Sequence, residues 1–269
     1  MATPEILGII AGNGVYPRLL ADSAKKTGVN RIVVAAFAGE TDAALEKHVD
    51  LIDWMRVGQL SRLLKFFQAQ EIHHAIMAGQ IAPKNLFDLR PDWKALLMLA
   101  RLKQRNAESI FAAIADELSK IDIELLPATT FLEDYLAKSG LIAGASLSRR
   151  EEEDVDLGWK TAKEVARLDV GQTVIVKNGT VLAVEGFEGT NEAIKRGGAL
   201  GREGAVMIKV SKPNQDMRFD VPVIGVETIR VASEAKIRVI ALEAGKTLLL
   251  ERDMIVDLAR NARISIVAR

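Results

Sequence analysis

Cysteine is absent from the 269 residues. That excludes disulfides, thiolate zinc sites and cysteine nucleophiles, and it suits a reducing compartment such as the cytoplasm. Histidine is nearly as scarce: His48, His73 and His74 are the only three, and none has a partner at the spacing of a helical zinc motif. Neither sign of charge is in excess, since 36 basic residues balance 36 acidic ones. No global field therefore favours nucleic acid. Long apolar runs are missing too: none approaches the roughly 20 residues needed to span a bilayer, so any membrane contact is expected to be peripheral. The opening Met-Ala-Thr-Pro-Glu lacks a basic region followed by an apolar core and a cleavage site, so no secretory signal is expected.

What the chain does have is a hydrophobic content of 49%, enough core for one large domain or two ordinary ones. The first half alternates strand and helix signals. Ile6 to Ala11 is a short apolar run rich in β-branched residues, Gly12-Asn13-Gly14 breaks it, and Tyr16 to Lys26 has helical spacing. Such a strand–glycine turn–helix unit opens many nucleotide-binding folds, because glycine lets backbone N–H groups approach a ligand at a helix N-terminus. As a dinucleotide fingerprint it is weak, since Pro17 stands where the third glycine would pack helix on strand. Arg31 to Ala36 and Asp50 to Val57 predict further strands, Leu60 to Ala69 an amphipathic helix, and His73 to Met77 a strand ending in Ala78-Gly79-Gln80. The glycine turns at Gly12–Gly14 and Gly79 should then share one edge of a parallel sheet, where open α/β folds place ligands. Ser109 to Lys120 predicts a helix and Ile123 to Leu126 the last strand of this half.

Lys84 to Arg105 carries six basic against two acidic residues, a local charge of +4, interleaved with Phe87, Trp93 and many leucines. A basic helix with such a face packs on a core, lies in a membrane interface or covers an acylated ligand. Thr129 to Leu147 reads as a connection. The resulting division is a Rossmann-like nucleotide- or substrate-binding domain at 1–130, a linker at 131–148 and a mixed α/β catalytic domain at 149–269.

In the second half, an acidic cluster opens a helix from Arg149 to about Arg167. Thr173–Val176 and Val181–Val184 flank Asn178-Gly179, a strong hairpin signal. A helix is expected over Glu192–Arg196, with Thr190 or Asn191 as its cap and Gly197, Gly198, Gly201 and Gly204 beyond it. Glu185 and Glu188 are potential metal ligands nearby. Between the strand Ala205–Val210 and a short strand at Val221–Ile224 lie Lys212, Asp216, Arg218, Asp220 and amide side chains. Carboxylates suit Mg²⁺, which takes one or two of them plus phosphate oxygens, while lysine and arginine balance phosphate charge. A helix from Thr228 to Ala235 follows, with Thr228 a candidate cap, and strands and a helix complete the chain.

The wording Lys212-Pro-Asn-Gln-Asp-Met-Arg-Phe-Asp-Val-Pro-Val-Ile-Gly225, with Phe187-Glu-Gly-Thr-Asn-Glu-Ala-Ile194 upstream, resembles the UDP-2,3-diacylglucosamine pyrophosphatase family of lipid A biosynthesis. The likeness is to the LpxI-type branch, unrelated to the calcineurin-like metallophosphatases. Leu7 to Pro17 and the Ala78-Gly79-Gln80 turn also resemble it, with Asn13 where the family usually has glycine. The resemblance implies a cytoplasmic hydrolase, peripheral to the inner membrane, with two α/β domains and the substrate between them. Water would attack the α-phosphorus to give UMP and 2,3-diacylglucosamine 1-phosphate (lipid X), with Mg²⁺ or another divalent cation such as Mn²⁺ required.

On that reading Asp220 is the first candidate for the essential carboxylate, Asp216 the second, and both, with Glu188, are candidate metal ligands. Thr190, Asn191, Lys209 and Lys212 are candidates for the phosphate side. Gly12, Asn13, Gly14, Tyr16, Gly79 and Gln80 are candidates for the nucleotide or diphosphate, with Lys84 and Thr228 as further substrate-side residues. The partners implied are a UDP-linked diacylated glucosamine and the inner face of the cytoplasmic membrane, with no nucleic acid; a homodimer is one candidate assembly. Two other classes stay open: a non-catalytic UDP-lipid carrier or sensor, and a nicotinamide-dependent dehydrogenase using the Gly12–Gly14 turn.

Overall fold

The structure is a computed structural model that describes residues 3–81, 91–104 and 106–269. The chain divides into two compact units. The first is Met1–Leu132 together with Asp216–Asp220, and the second is Glu133–Gln215 with Val221–Arg269. The fold class is α/β in both.

In the first unit, β1 (Ile6–Ala11), β2 (Arg31–Phe37), β3 (Leu51–Met55), β4 (His74–Ala78) and β5 (Glu124–Leu125) form one sheet in the order β3-β2-β1-β4-β5. Every pairing is parallel. That order is Rossmann-like, with the reversal of strand order falling between β1 and β4. The central strands β1, β2 and β4 are buried almost throughout, as expected for a parallel sheet covered on both faces, while the edge strands β3 and β5 are more exposed. Alternate residues Val33, Ala35 and Phe37 join a core with α2 (Leu60–Ala69) and α4 (Ala107–Ser119). Leu60, Leu63, Leu64 and Phe67 form the inward stripe of α2. Helix α1 (Tyr16–Lys26) packs on β2 and β4. The basic stretch read from 84 to 105 is helical only over α3 (Trp93–Arg101) among the described residues, capped by Asp92 accepting from the Ala95 N–H at 2.9 Å. Lys84 and the rest of 82–90 lie outside the described residues.

The second unit holds a mixed sheet, in the order β6-β13-β11-β9-β7-β8, from β6 (Gly140–Ala143), β7 (Thr173–Lys177), β8 (Thr180–Val184), β9 (Ala205–Lys209), β11 (Ile237–Leu242) and β13 (Ser265–Ala268). A separate two-stranded parallel pair joins β10 (Val223–Ile224) and β12 (Leu248–Leu249). The stretch 131–148, read from sequence as a connection, contributes β6, which runs antiparallel to β13. Strand alternation sorts the core into two layers. Val174, Val176, Val206 and Ile208 meet α5 (Arg149–Arg167), whereas Ile175, Met207 and Ile240 face α6 (Thr190–Gly201), α7 (Val226–Glu234) and α8 (Arg252–Asn261). Helix α5 opens with a capping box between Ser148 and Glu151. The β7–β8 turn is Asn178-Gly179, both at positive φ, and the buried Asp154 carboxylate accepts both of their N–H groups at 2.8 and 2.7 Å.

Helix α6 corrects the expectation of a short helix ended by glycines: it runs through Gly197 and Gly198 to Gly201. Glycine disfavours helix by about 1 kcal/mol per residue, but here contact outweighs propensity. A Cβ on Gly197 would sit 2.6 Å from Ile175 atoms, and one on Gly198 2.5 Å from the Ala235 carbonyl. Gly197→Ala should therefore overpack and cost about 1–3 kcal/mol, lowering Tm by several degrees. Gly225→Ala, whose Cβ would meet nothing within 4 Å, should leave Tm within about 2 °C. Equal melting of the two variants in calorimetry would contradict this packing account.

Candidate functional site

In the first unit the two glycine turns lock together by backbone alone. Gly12 donates to the Ala78 carbonyl at 2.8 Å, Asn13 to the Gln80 carbonyl at 2.7 Å, and Gln80 back to the Asn13 carbonyl at 3.2 Å. Side chains are excluded there: a Cβ on Gly12 would lie 2.5 Å from the Gln80 carbonyl oxygen, and one on Gly79, where φ is +92°, 2.6 Å from that of Asn13. The clamp stands at the carboxyl ends of β1 and β4, where the strand order reverses, as the sequence led us to expect. Its glycines therefore serve the fold first, because the N–H groups of Gly12, Asn13 and Gln80 are spent on the carbonyls of the facing turn. Beside them is the start of α1, which follows Gly14 (φ +91°) and has Val15 as N-cap with no side-chain cap bond. Uncapped first-turn N–H groups suit an anion.

Tyr16 behaves differently from its sequence assignment. Its ring is buried and its hydroxyl donates to the Ala128 carbonyl at 2.5 Å. Burial raises the phenol pKa, so Tyr16 stays protonated.

Asp216–Asp220 also belongs to the first unit. Ala128 N–H donates to the Met217 carbonyl at 2.7 Å, and Phe219 packs against Phe111 with ring centroids 5.8 Å apart. Both oxygens of Asp216 are gripped by Arg218, Nε to Oδ1 at 3.0 Å and Nη2 to Oδ2 at 2.7 Å. The guanidinium bond holds the Asp216 carboxyl below the usual range. The Asp220 N–H donates to the Asp216 carbonyl at 2.9 Å, which sets the two carboxylates one turn apart in the chain.

In the second unit a charged network is buried at the end of β9. Lys209 Nζ donates to Thr190 Oγ1 at 2.7 Å, and Thr190 donates to Glu185 Oε1 at 2.7 Å. Lys209 and Glu185 are both buried. Burial pushes the Glu185 carboxyl up, but the Lys209 charge and the bonds from Thr173, Thr190 and the Gln172 N–H outweigh it and leave the pKa lowered. The network sits under the start of α6, whose N-cap is Gly189 (φ +85°) with no side-chain cap bond. Neither Thr190 nor Asn191 is the cap: Thr190 is the first helical residue and turns its hydroxyl to Glu185 and Lys209 instead. Thr228 does not cap either, since Gly225 precedes α7 and Thr228 lies within it. Glu188 faces Arg196, its pKa lowered first by its own N–H and then by that guanidinium. Lys212 pairs with Asp169 at 2.5 Å.

Among the described residues no three acidic or histidine groups converge as a metal cluster. Asp216 and Glu188 are engaged by arginines. Among the described residues the donor set therefore does not form a protein-only cage; a cation that brings phosphate oxygens of its own needs only one or two protein carboxylates. One cavity, about 530 Å³, is lined by Gln59, Ser61, Arg62, Lys65, Phe66 and Asp92 and shares no residue with either cluster. A smaller one, about 100 Å³, touches Gly14, Val15 and Arg18 and is too small to bury a nucleotide.

Two family models match the chain: LpxI N-terminal domain over residues 6–135 and LpxI C-terminal domain over residues 138–267. The chain belongs to the LpxI family. A relative from Caulobacter vibrioides, named UDP-2,3-diacylglucosamine pyrophosphatase LpxI, is 28% identical over 264 residues, which is 94% of this chain and 93% of that one. Among solved structures, the biotin carboxylase domain of Hydrogenobacter thermophilus 2-oxoglutarate carboxylase aligns at a TM-score of 0.28 and 9% identity. That alignment covers 67% of this chain and spans only 36% of the carboxylase chain. The LpxI domain boundary, between 135 and 138, falls close to the structural one at Leu132/Glu133. The two divisions differ at Asp216–Asp220, which the C-terminal family domain spans and the first unit holds.

Glu185 and its partnership with Lys209 were only half visible in the sequence. The signal was Lys209 itself, a charge ending an otherwise apolar strand, which requires a buried partner. Because the folded Glu185 carboxyl lies below its unfolded value of about 4.3, the stability it contributes is complete above that pH and is lost as pH falls through the folded value. Glu185→Gln should lower Tm at pH 7, since breaking a buried pair costs about 3–5 kcal/mol. The gap to wild type should hold from pH 7 to 5 and narrow below about pH 4. A gap that widens in acid would rule out this origin.

Proposed function

We propose that the protein hydrolyses the pyrophosphate bond of UDP-2,3-diacylglucosamine, water attacking the α-phosphorus to release UMP and 2,3-diacylglucosamine 1-phosphate (lipid X). The observation that carries this reading is membership of the LpxI family across both halves of the chain. The similarity to the Caulobacter vibrioides pyrophosphatase over nearly the whole of each sequence supports it at the level of the reaction.

The residues suit that chemistry. A pyrophosphate diester is anionic, so catalysis chiefly needs charge neutralisation and a positioned water. Within the first unit the start of α1 is uncapped, although Pro17 in its first turn has no N–H, and within the second unit the start of α6 is uncapped; each, taken by itself, suits an anionic oxygen. Lys209 and Glu185 hold Thr190 at the head of α6, and Asn191 is the next residue of that turn. Asp220 would hold Mg²⁺ or Mn²⁺ and orient the attacking water. A divalent cation supplies neutralisation of the diphosphate and acidification of bound water. Asp216, gripped at both oxygens by Arg218, serves the loop's shape rather than the metal.

A two-chain lipid stays in its bilayer, at about 0.8 kcal/mol per buried CH₂. No helix among the described residues is long and apolar enough to cross a membrane. We therefore read α3 as a docking element at the inner face of the cytoplasmic membrane. Trp93, Leu96 and Leu97 lie at i, i+3 and i+4 on its exposed face (72, 49 and 40% accessible), with exposed Arg101 and Lys103 at its end. Tryptophan favours the headgroup interface and cations favour anionic lipid. Replacing Trp93 and Leu97 by glutamate should reduce co-sedimentation with anionic vesicles about tenfold or more at low salt, while Tm stays near wild type. Unchanged sedimentation would remove α3 from this role.

The reaction itself is tested by product analysis in ¹⁸O-water and detergent, with Mg²⁺ and with EDTA, for wild type and Asp220→Ala. Label in UMP, loss of turnover with EDTA and a fall of at least about 10²-fold in the variant are expected. Tight binding of the lipid without turnover by wild type would instead identify a carrier.

A further inference from the structure

Ala128 is the meeting point of two segments far apart in sequence. Its carbonyl accepts the Tyr16 hydroxyl at 2.5 Å, and its N–H donates to the Met217 carbonyl at 2.7 Å. Tyr16 is the first residue of α1, two positions after Gly14 of the backbone clamp. Met217 lies in the five-residue segment that ends in Asp220. The segment is held at three further points. Phe219 lies against Phe111, Arg218 grips Asp216, and the N–H groups of Phe219 and Asp220 both donate to the Asp216 carbonyl, at 3.3 and 2.9 Å.

We propose that Tyr16 is a positioning residue that acts through the Ala128 peptide groups, fixing the Asp216–Asp220 turn relative to the Gly12–Gly14 clamp and so aiming the Asp220 carboxylate. The inference rests on the reading of Asp220 as the reacting carboxylate. It reverses the assignment of Tyr16 as a substrate ligand, because a buried ring whose hydroxyl is committed to a main-chain carbonyl has no donor left for substrate. The residue type follows from the geometry. Phenylalanine would fill the same volume but leave a buried carbonyl without its donor. Misplacing a catalytic group by about 1 Å costs on the order of 10²-fold in rate, so a single strut of this kind has leverage on turnover far beyond its share of stability.

The test compares Tyr16→Phe, Phe219→Leu and Asp220→Ala with wild type, using UDP-2,3-diacylglucosamine in detergent with Mg²⁺ and amide hydrogen exchange on the same proteins. Tyr16→Phe keeps the ring, so the fold should survive. Its kcat should fall about 10- to 100-fold with KM within about twofold, and exchange at Phe219 and Asp220 should accelerate. Phe219→Leu loosens the same segment from its other side and should show the same kcat-selective loss. Unchanged kcat with unchanged exchange in Tyr16→Phe overturns the proposal. So does a raised KM at constant kcat, which would return the hydroxyl to the substrate. Full activity in Asp220→Ala would defeat the reading of Asp220 and the catalytic half of the proposal with it, while the exchange rates would still decide whether the strut exists.

Discussion

Close approach of main chain to its packing neighbours, with no Cβ between, is the constraint on which both units depend. In the first, Gly12 and Gly79 allow two turns to exchange three main-chain hydrogen bonds with no side chain between them. In the second, Gly158 lets α5 settle on β9, where a Cβ would come within 2.2 Å of Ile208, and Gly197 and Gly198 bring α6 onto β7 and α7. Any Cβ at these positions must displace main chain or a well-packed core side chain, and interiors at crystal-like density yield little. The positions of the α1 and α6 N-termini follow from these contacts. Each uncapped helix start is therefore set by where glycine permits its helix to lie.

Electrostatics complete what packing begins. The formal charges sum to zero, and the buried or half-buried ones are matched locally rather than globally. Lys209 is matched by Glu185, Lys163 by Glu243 at 2.6 Å, and Asp154 by two backbone N–H groups at the hairpin turn. An unpartnered charge at those depths would cost several kcal/mol. Ser211 shows the same economy of donors: its N–H and hydroxyl both reach the Glu243 carboxylate, at 2.7 and 2.8 Å, and Glu243 stays ionised although burial opposes it.

Much of the fold was legible because its signals are local. The periods of β1, α1, α2 and α5, the Asn178-Gly179 turn and the glycine breaks each follow from a few neighbouring residues. The extent of α6 was not legible, because glycine's helix penalty is a local rule and the contact with Ile175 that overrides it is tertiary. The role of β6 was hidden for a related reason: Gly140 to Ala143 is a strand only by virtue of β13, more than a hundred residues away. The site was legible in its residue types and obscure in its partnerships. Tyr16, Thr190 and Asp216 were all picked out as polar groups beside glycine turns or lysines. What each bonds, a main-chain carbonyl, a buried ion pair and an arginine fork, is decided by chain segments that no spacing rule connects.

Those partnerships divide labour among groups that look equivalent in sequence. Two aspartates four residues apart invite a shared metal, yet Asp216 presents both oxygens to Arg218. A carboxylate bound bidentately by guanidinium is a poor ligand for a second cation, because the same lone pairs would have to serve both. Its effect on the chain is to close the turn whose carbonyl receives the Phe219 and Asp220 N–H groups. A cation that comes with its own phosphate oxygens needs few protein ligands, but those few must be well aimed. On the proposed reading, in which Asp216 shapes the turn and Asp220 meets the cation, five residues satisfy that requirement provided the turn is anchored to rigid elements. The Ala128 peptide groups and the ring of Phe111 supply that anchorage from within the parallel-sheet unit.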